Sequence, residues 1–134
     1  LFIPMLMDTG GNSGGQASVT VIRAMSLGDV EFADCPRVIW KELRVAALCA
    51  LTLGAVVFVK VMLVDRKDAT VALVVALTIF LTIIVAKLIG CTLPMLAKRL
   101  GFDPAVMASP FITTVVDALS LLVYFAIATR VLGL

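Results

Sequence analysis

The chain has 134 residues, of which 62% are hydrophobic and only 15% charged, and its mean hydropathy is +1.16. A soluble domain of this size must cover its core with polar surface, at about 45–50% apolar and about 25% charged residues, so the environment that matches this composition is lipid. With Lys+Arg 11, Asp+Glu 9, no histidine and a formal charge of +2, the chain is neither a nucleic-acid binder nor built around a histidine-based acid/base or zinc centre.

A hydrocarbon layer of about 30 Å takes roughly 20 helical residues to cross, so the chain holds about four spans and no sizeable water-soluble catalytic or sensor domain. The predicted fold class is all-α, a polytopic helical membrane protein. The first span covers about 1–27, interrupted by Asp8-Thr9-Gly10-Gly11-Asn12-Ser13-Gly14-Gly15-Gln16, a run that predicts a break in the helix. The second covers about 38–64; Trp40 marks an interface, and the charge-free stretch Val45 to Val59 is flanked by Arg44 and Lys60, both able to snorkel. The third, about 69–97, follows Asp68 as N-cap, is uncharged until Lys87, and meets Pro94 near its end, where a kink is expected. The fourth, about 104–132, starts with Asp103 as N-cap and Pro104 at the first helical position, and carries Asp117 near its centre. The chain opens on Leu1 within an apolar run and without a basic leader, so a piece of a longer protein is expected. Cys35, Cys49 and Cys91 are odd in number and widely spaced, and read as packing residues.

Alternating spans place Arg23, Arg37, Lys41, Arg44, Lys98 and Arg99 on one side and Lys60, Arg66, Lys67 and Arg130 on the other, which favours the first side as cytoplasmic. The expected location is the inner (plasma) membrane, with the 28–37 and 98–103 loops cytoplasmic and the C-terminus outside. Thr78, Thr82, Ala86, Gly90 and Pro94 recur every four residues and form one ridge of small side chains, and Ala46, Ala50 and Gly54 form a shorter one; both predict close helix packing.

Chemistry concentrates in two places. Ser109, Thr113, Asp117, Ser120 and Tyr124 fall on one face of the fourth span, and a carboxylate at membrane depth needs a partner or water, which is why such residues mark ion pathways. The alternative is a structural bridge from Asp117 to Lys87. The glycine-rich run predicts unwinding that frees backbone carbonyls, while Asn12, Ser13, Gln16 and Asp8 add oxygen donors. An all-oxygen set suits magnesium, calcium or sodium. GGNSGGQ lacks the lysine of a nucleotide phosphate loop.

MDTGGNSGGQASVTVIRAM at Met7 to Met25, together with KLIGCTLPMLAKRLGFDPAVMASPFITTVVDALSLLVYFAIA at Lys87 to Ala128, resembles the membrane domain of the MgtE magnesium channels, and the resemblance spans essentially the whole chain. It implies a truncated transmembrane domain over 1–134, corresponding to helices two to five of five, in a homodimer within the bilayer. Cytoplasmic CBS-type sensor domains precede the helices in many members. It implies further that Mg2+ is the transported ion, with Asp117 binding it in the pore, Thr113 and Ser109 at backbone-carbonyl positions, and Gly11 lining the pore in the broken helix; Asn12 and Asp8 join this set. Asp8 and Lys87 stand where relatives are expected to be neutral, so they are expected to be coupled. Either they neutralise each other, or Asp8 joins Asp117 at the ion while Lys87 balances the charge; the second is favoured because Asp8 directly precedes Thr9-Gly10-Gly11.

The leading function is a magnesium or divalent-cation channel or transporter with a pore at a homodimer interface, and no enzyme activity. Alternatives are a sodium-coupled or less selective divalent carrier with Lys87 as internal counter-charge, an intramembrane aspartyl protease using Asp8 and Asp117, and a non-transporting scaffold.

Overall fold

The computed structural model describes residues 2–29, 31–103 and 110–133, and among them every regular element is helical. The elements are α1 (Ile3–Ser26), a single 3-10 turn (Phe32–Asp34), α2 (Cys35–Leu63), α3 (Ala69–Arg99) and α4 (Pro110–Leu132). Pro36 in the first turn of α2 starts that helix three residues ahead of its expected boundary. Asp68 is the N-cap of α3, in extended backbone, although its carboxylate makes no capping bond. That helix runs on through the buried Pro94 to Arg99. The expected start of the fourth span at Asp103-Pro104 falls partly outside the described residues.

The predicted break in the first helix is not there. α1 is continuous from Ile3 to Ser26, through every glycine of the run. The cause is packing. A Cβ on Gly10 would stand 2.8 Å from Thr82 Cγ2, 2.8 Å from Val116 Cγ1 and 2.9 Å from Ser120 Oγ, and one on Gly14 would stand 2.9 Å from Ile112 Cγ2 and 3.1 Å from the Ala86 carbonyl oxygen. On α3, a Cβ on Gly90 would collide with the Gly14 carbonyl group and lie 3.1 Å from Ala17 Cβ. These glycines let three backbones approach, a gain that outweighs their low helix propensity of about 1 kcal/mol each.

The same contacts fix direction. Gly10 meets Thr82, Gly14 meets Ala86 and Gly90, and Val21 and Met25 share a cluster with Cys91 and Met95, so α1 and α3 run parallel. Gly10 meets Ser120 and Gly14 meets Ile112, so α4 runs against α1. The Gly54 to Ala76 approach and the Glu42 to Lys87 pair make α2 antiparallel to α3. The bundle therefore alternates, and Arg23, Arg37, Lys98 and Arg99 gather at one end. At that end α1 and α3 close identically, with Gly28 (φ 78) and Gly101 (φ 87) in the left-handed conformation, where Asp29 N–H donates to the Ala24 carbonyl and Phe102 N–H to that of Ala97.

α3 packs against α1, α2 and α4 and is the most enclosed, with 44% of its most apolar stretch buried against 28% for α2 and 22% for α4. Both expected small-residue ridges are in packing positions, since Thr78, Thr82, Ala86, Gly90 and Pro94 are all buried, as are Ala46, Ala50 and Gly54. The α2 side of α3 is filled by Val75, Ile79 and Ile83 against Ala46, Ala50, Val57 and Val61. Outward, α2 exposes Leu48, Leu51, Leu53, Val56, Val59 and Leu63, an apolar face suited to hydrocarbon. α2, α3 and α4 are long and apolar enough to cross a membrane. α1 has 24 residues, about 36 Å at 1.5 Å each, which is sufficient length, but its glycines and polar side chains make it less apolar. It lies against α3 and α4 instead of presenting a full apolar surface.

Candidate cation site between α1 and α4

On α1, Met7, Asp8, Gly11 and Asn12 occupy one face, at positions i, i+1, i+4 and i+5. The opposing α4 contributes Thr113 and Asp117, one turn apart. Together these six residues line a groove of ≈ 300 Å³. A Cβ on Gly11 would stand 3.2 Å from Thr113 Cγ2 and 3.6 Å from Thr113 Oγ1, so glycine at this position sets how near α4 comes and keeps the groove clear. Asp8 and Asn12 are exposed on the chain's surface, and Asp117 is half-buried.

Five expected site residues, Asp117, Asp8, Gly11, Asn12 and Thr113, are thus brought together, and Ser109 lies outside the described residues. Met7 was missed; its place four residues before Gly11 is the signal that would have found it. Three details are corrected. Because α1 is unbroken, the carbonyls of Gly10 to Gly15 belong to a helix and are not freed by unwinding. Ser13 and Gln16 do not line the groove, and the Gln16 carbonyl accepts the Thr20 hydroxyl at 2.9 Å. The polar face of α4 splits: Thr113 and Asp117 line the groove, whereas Ser120 is buried beside Gly10, and Tyr124 packs on the core edge-on to Phe125 at 5.4 Å between ring centroids.

The charges also sort differently from expectation. Lys87 lies 3.7 Å from Glu42 of α2, with both side chains largely buried. It neutralises neither Asp8 nor Asp117, and it is not the counter-charge of the groove. The reason is register: Ala86 faces α1, and the next residue is turned about 100° around α3. Asp117 Oδ1 is buried without a hydrogen-bond partner among the described residues. Two acids therefore share an open groove that, among the described residues, no lysine or arginine lines. Among the described residues no group of three or more cysteine and carboxylate side chains gathers to enclose a bare ion. The chemistry offered is two carboxylates, an amide and a hydroxyl, all suited to receiving or making hydrogen bonds with a hydrated hard cation.

The family model described as "MgtE: Divalent cation transporter" matches residues 3–127. The chain is 36% identical over 131 residues to the magnesium transporter MgtE of Thermus thermophilus, covering 98% of the chain and 29% of that protein. It is 37% identical over 132 residues to that of Bacillus subtilis, covering 96% and 28%. To that of Enterococcus faecalis it is 36% identical over 129 residues, covering 96% and 28%. It spans less than a third of the length of these relatives and aligns along nearly all of its own. An all-helical bundle with a family match from its first helix into its last is a membrane protein of a transporter family, and this chain belongs to the MgtE divalent cation transporter family.

Proposed function

We propose that the chain is the membrane domain of a magnesium transporter whose ion passes along the α1–α4 groove, with Asp117 as the principal anionic ligand and Asp8 as the second. The observation that carries this reading is the placement of two like-charged carboxylates in one open groove, while the only lysine inside α3 before its last turn is engaged elsewhere. Size supports a hydrated ion. Six waters at about 30 Å³ each, with the ion, need roughly 200 Å³, within the ≈ 300 Å³ available. Magnesium gives up its water shell reluctantly, so carboxylates that accept hydrogen bonds from bound water fit it better than a dry cage. Thr113, Asn12 and Gly11 shape the rest of the wall.

The groove opens on the surface of a single chain, which supports a homodimer in which two grooves face each other across a two-fold axis and enclose the pore. The gathering of basic residues at the α1/α3 C-terminal end supports a cytoplasmic location for the 28–37 and 98–103 loops in the plasma membrane, with the C-terminus outside. The greater length of the relatives leaves room for regulation by sensor domains of the same polypeptide. A sodium-coupled carrier with Lys87 as counter-charge loses support, because that lysine sits on Glu42.

Magnesium flux into liposomes holding the full-length protein tests the proposal. Asp117→Ala is expected to abolish flux while leaving the oligomer and thermal stability unchanged, Asp117→Asn to fail nearly as completely, and Gly11→Val to obstruct conduction. Wild-type flux from Asp117→Ala would remove the groove from the mechanism.

A further inference from the structure

A second cavity, ≈ 410 Å³, lies between α1 and the first turns of α2, away from the α1–α4 groove. Arg37, Lys41 and Arg44 all line it, at i, i+4 and i+7 on one face of α2, with Trp40 among them. Arg37 is paired with Asp34 at 3.3 Å. The one carboxylate that lines the cavity, Glu42, is held by Lys87 from α3. Lys41 and Arg44 have no carboxylate within ion-pair distance among the described residues.

The position along the helix matters as much as the charge. Arg44 directly precedes the uncharged stretch Val45 to Val59, and Arg37 lies about 10 Å further along the axis. That span is close to the headgroup layer, about 5–8 Å on each side of the hydrocarbon. Trp40 is 62% exposed at this level, where an indole is best placed between water and acyl chains. α1 lines the cavity with Val21, Ala24 and Thr20, whose hydroxyl is already donated to the Gln16 carbonyl, and Val38 of α2 adds to this mostly apolar lining.

We propose that this cavity binds one anionic phospholipid, its phosphate between Lys41 and Arg44 and its upper acyl chain along Val21 and Val38. The Glu42–Lys87 pair serves the site by withdrawing the one acid that, among the described residues, lines the cavity beside those cations. A free phosphate would use the same cations, but it has no use for the apolar wall or for Trp40, so the lipid is the occupant. The site needs nothing from the ion groove, and its test is independent of transport.

The experiment is lipid retention by the full-length protein, exchanged into mixed phosphatidylcholine and phosphatidylglycerol micelles and weighed intact by native mass spectrometry. Wild type is expected to retain phosphatidylglycerol in preference to phosphatidylcholine. Lys41→Gln/Arg44→Gln is expected to lose that preference by roughly 30-fold, at about five- to sixfold for each cation. Lys41→Arg/Arg44→Lys should keep it, and so should Arg66→Gln/Lys67→Gln, which removes the same charge from the other end of the bundle. All four proteins should give one folded oligomer, because the substituted side chains are exposed. Equal loss in the two glutamine variants would mean diffuse surface charge and overturn the site, and so would no preference in wild type. Displacement of the lipid by millimolar inorganic phosphate would overturn its assignment to a phospholipid.

Discussion

The two sides of α3 are packed by opposite means. Toward α1, small residues meet: Gly90 against the Gly14 backbone, Ala86 against Gly14 and Thr82 against Gly10. Toward α2, aliphatic side chains fill the space, and the seam carries the Glu42–Lys87 pair. Charge follows the same division. On the α2 side opposite signs meet and satisfy each other within the chain; on the far side of α1, Asp8 and Asp117 share a sign and face an opening. A buried charge that finds its partner inside the fold is a structural element, whereas like charges held together need something from outside. Ionisable residues inside helices are expected to be functional by default, and α3 shows that the partner has to be found before that default is applied.

The most damaging way to break the small-residue seam is Gly90→Leu. The side chain would enter the space of the Gly14 backbone, which cannot move without displacing α1 from both α3 and α4. Overpacking of this kind costs typically 1–3 kcal/mol, and more against backbone, so we expect a large fall in melting temperature or failure to assemble. Gly15→Ala is the matched control, because nothing lies within 4 Å of a Cβ there; it should be neutral or stabilise α1 by up to about 1 kcal/mol. A destabilised Gly15→Ala together with an unaffected Gly90→Leu would mean that the run is not packed as helix.

On the α2 side, Lys87→Met leaves Glu42 without its cation in a largely buried position, and Glu42→Gln leaves Lys87 in the same state. Each single change should destabilise by roughly 2–4 kcal/mol, and the double change should recover most of that loss, since removing both charges removes the desolvation cost. Stability against denaturant gives the cycle. Strict additivity would show that the 3.7 Å approach carries no coupling.

What the sequence made legible follows from the range of each interaction. Helix count and the small-residue ridges rest on periodicity within a helix, and the fold has both; that Asp8, Gly11 and Asn12 meet Thr113 and Asp117 in one groove joins two helices, which periodicity does not give and the family resemblance implies. The continuity of α1 is not legible in the sequence, because intrinsic propensity carries no information on Gly10, Gly14 and Gly90 meeting other helices. The partner of Lys87 is not legible either, because Glu42 is 45 positions away and only the rotation of α2 against α3 brings the two together. Ser120 and Tyr124 share a face with Asp117 in projection, yet α1 covers Ser120 and leaves Asp117 at the groove.

The smallest effect is expected at Asp8, and it separates the two acids of the groove. Asp8 is exposed on the chain, so solvent and salt screen its attraction for a cation, whereas Asp117 is half-buried with one carboxylate oxygen enclosed. Asp8→Asn should therefore raise the magnesium concentration for half-maximal flux about three- to tenfold, with maximal flux retained and the effect shrinking as ionic strength rises. Asp117→Asn should lose maximal flux at any salt concentration. Because Lys87 is held on the other side of α3, Asp8→Asn and Lys87→Met should act independently on magnesium affinity, within a few tenths of a kcal/mol. Coupling between them would return Lys87 to the groove. An Asp8→Asn protein with unchanged magnesium dependence at low salt would leave Asp117 as the sole acid that the ion meets, and the attraction of the site would then have to come from pairing that residue with its counterpart in a second copy of the chain.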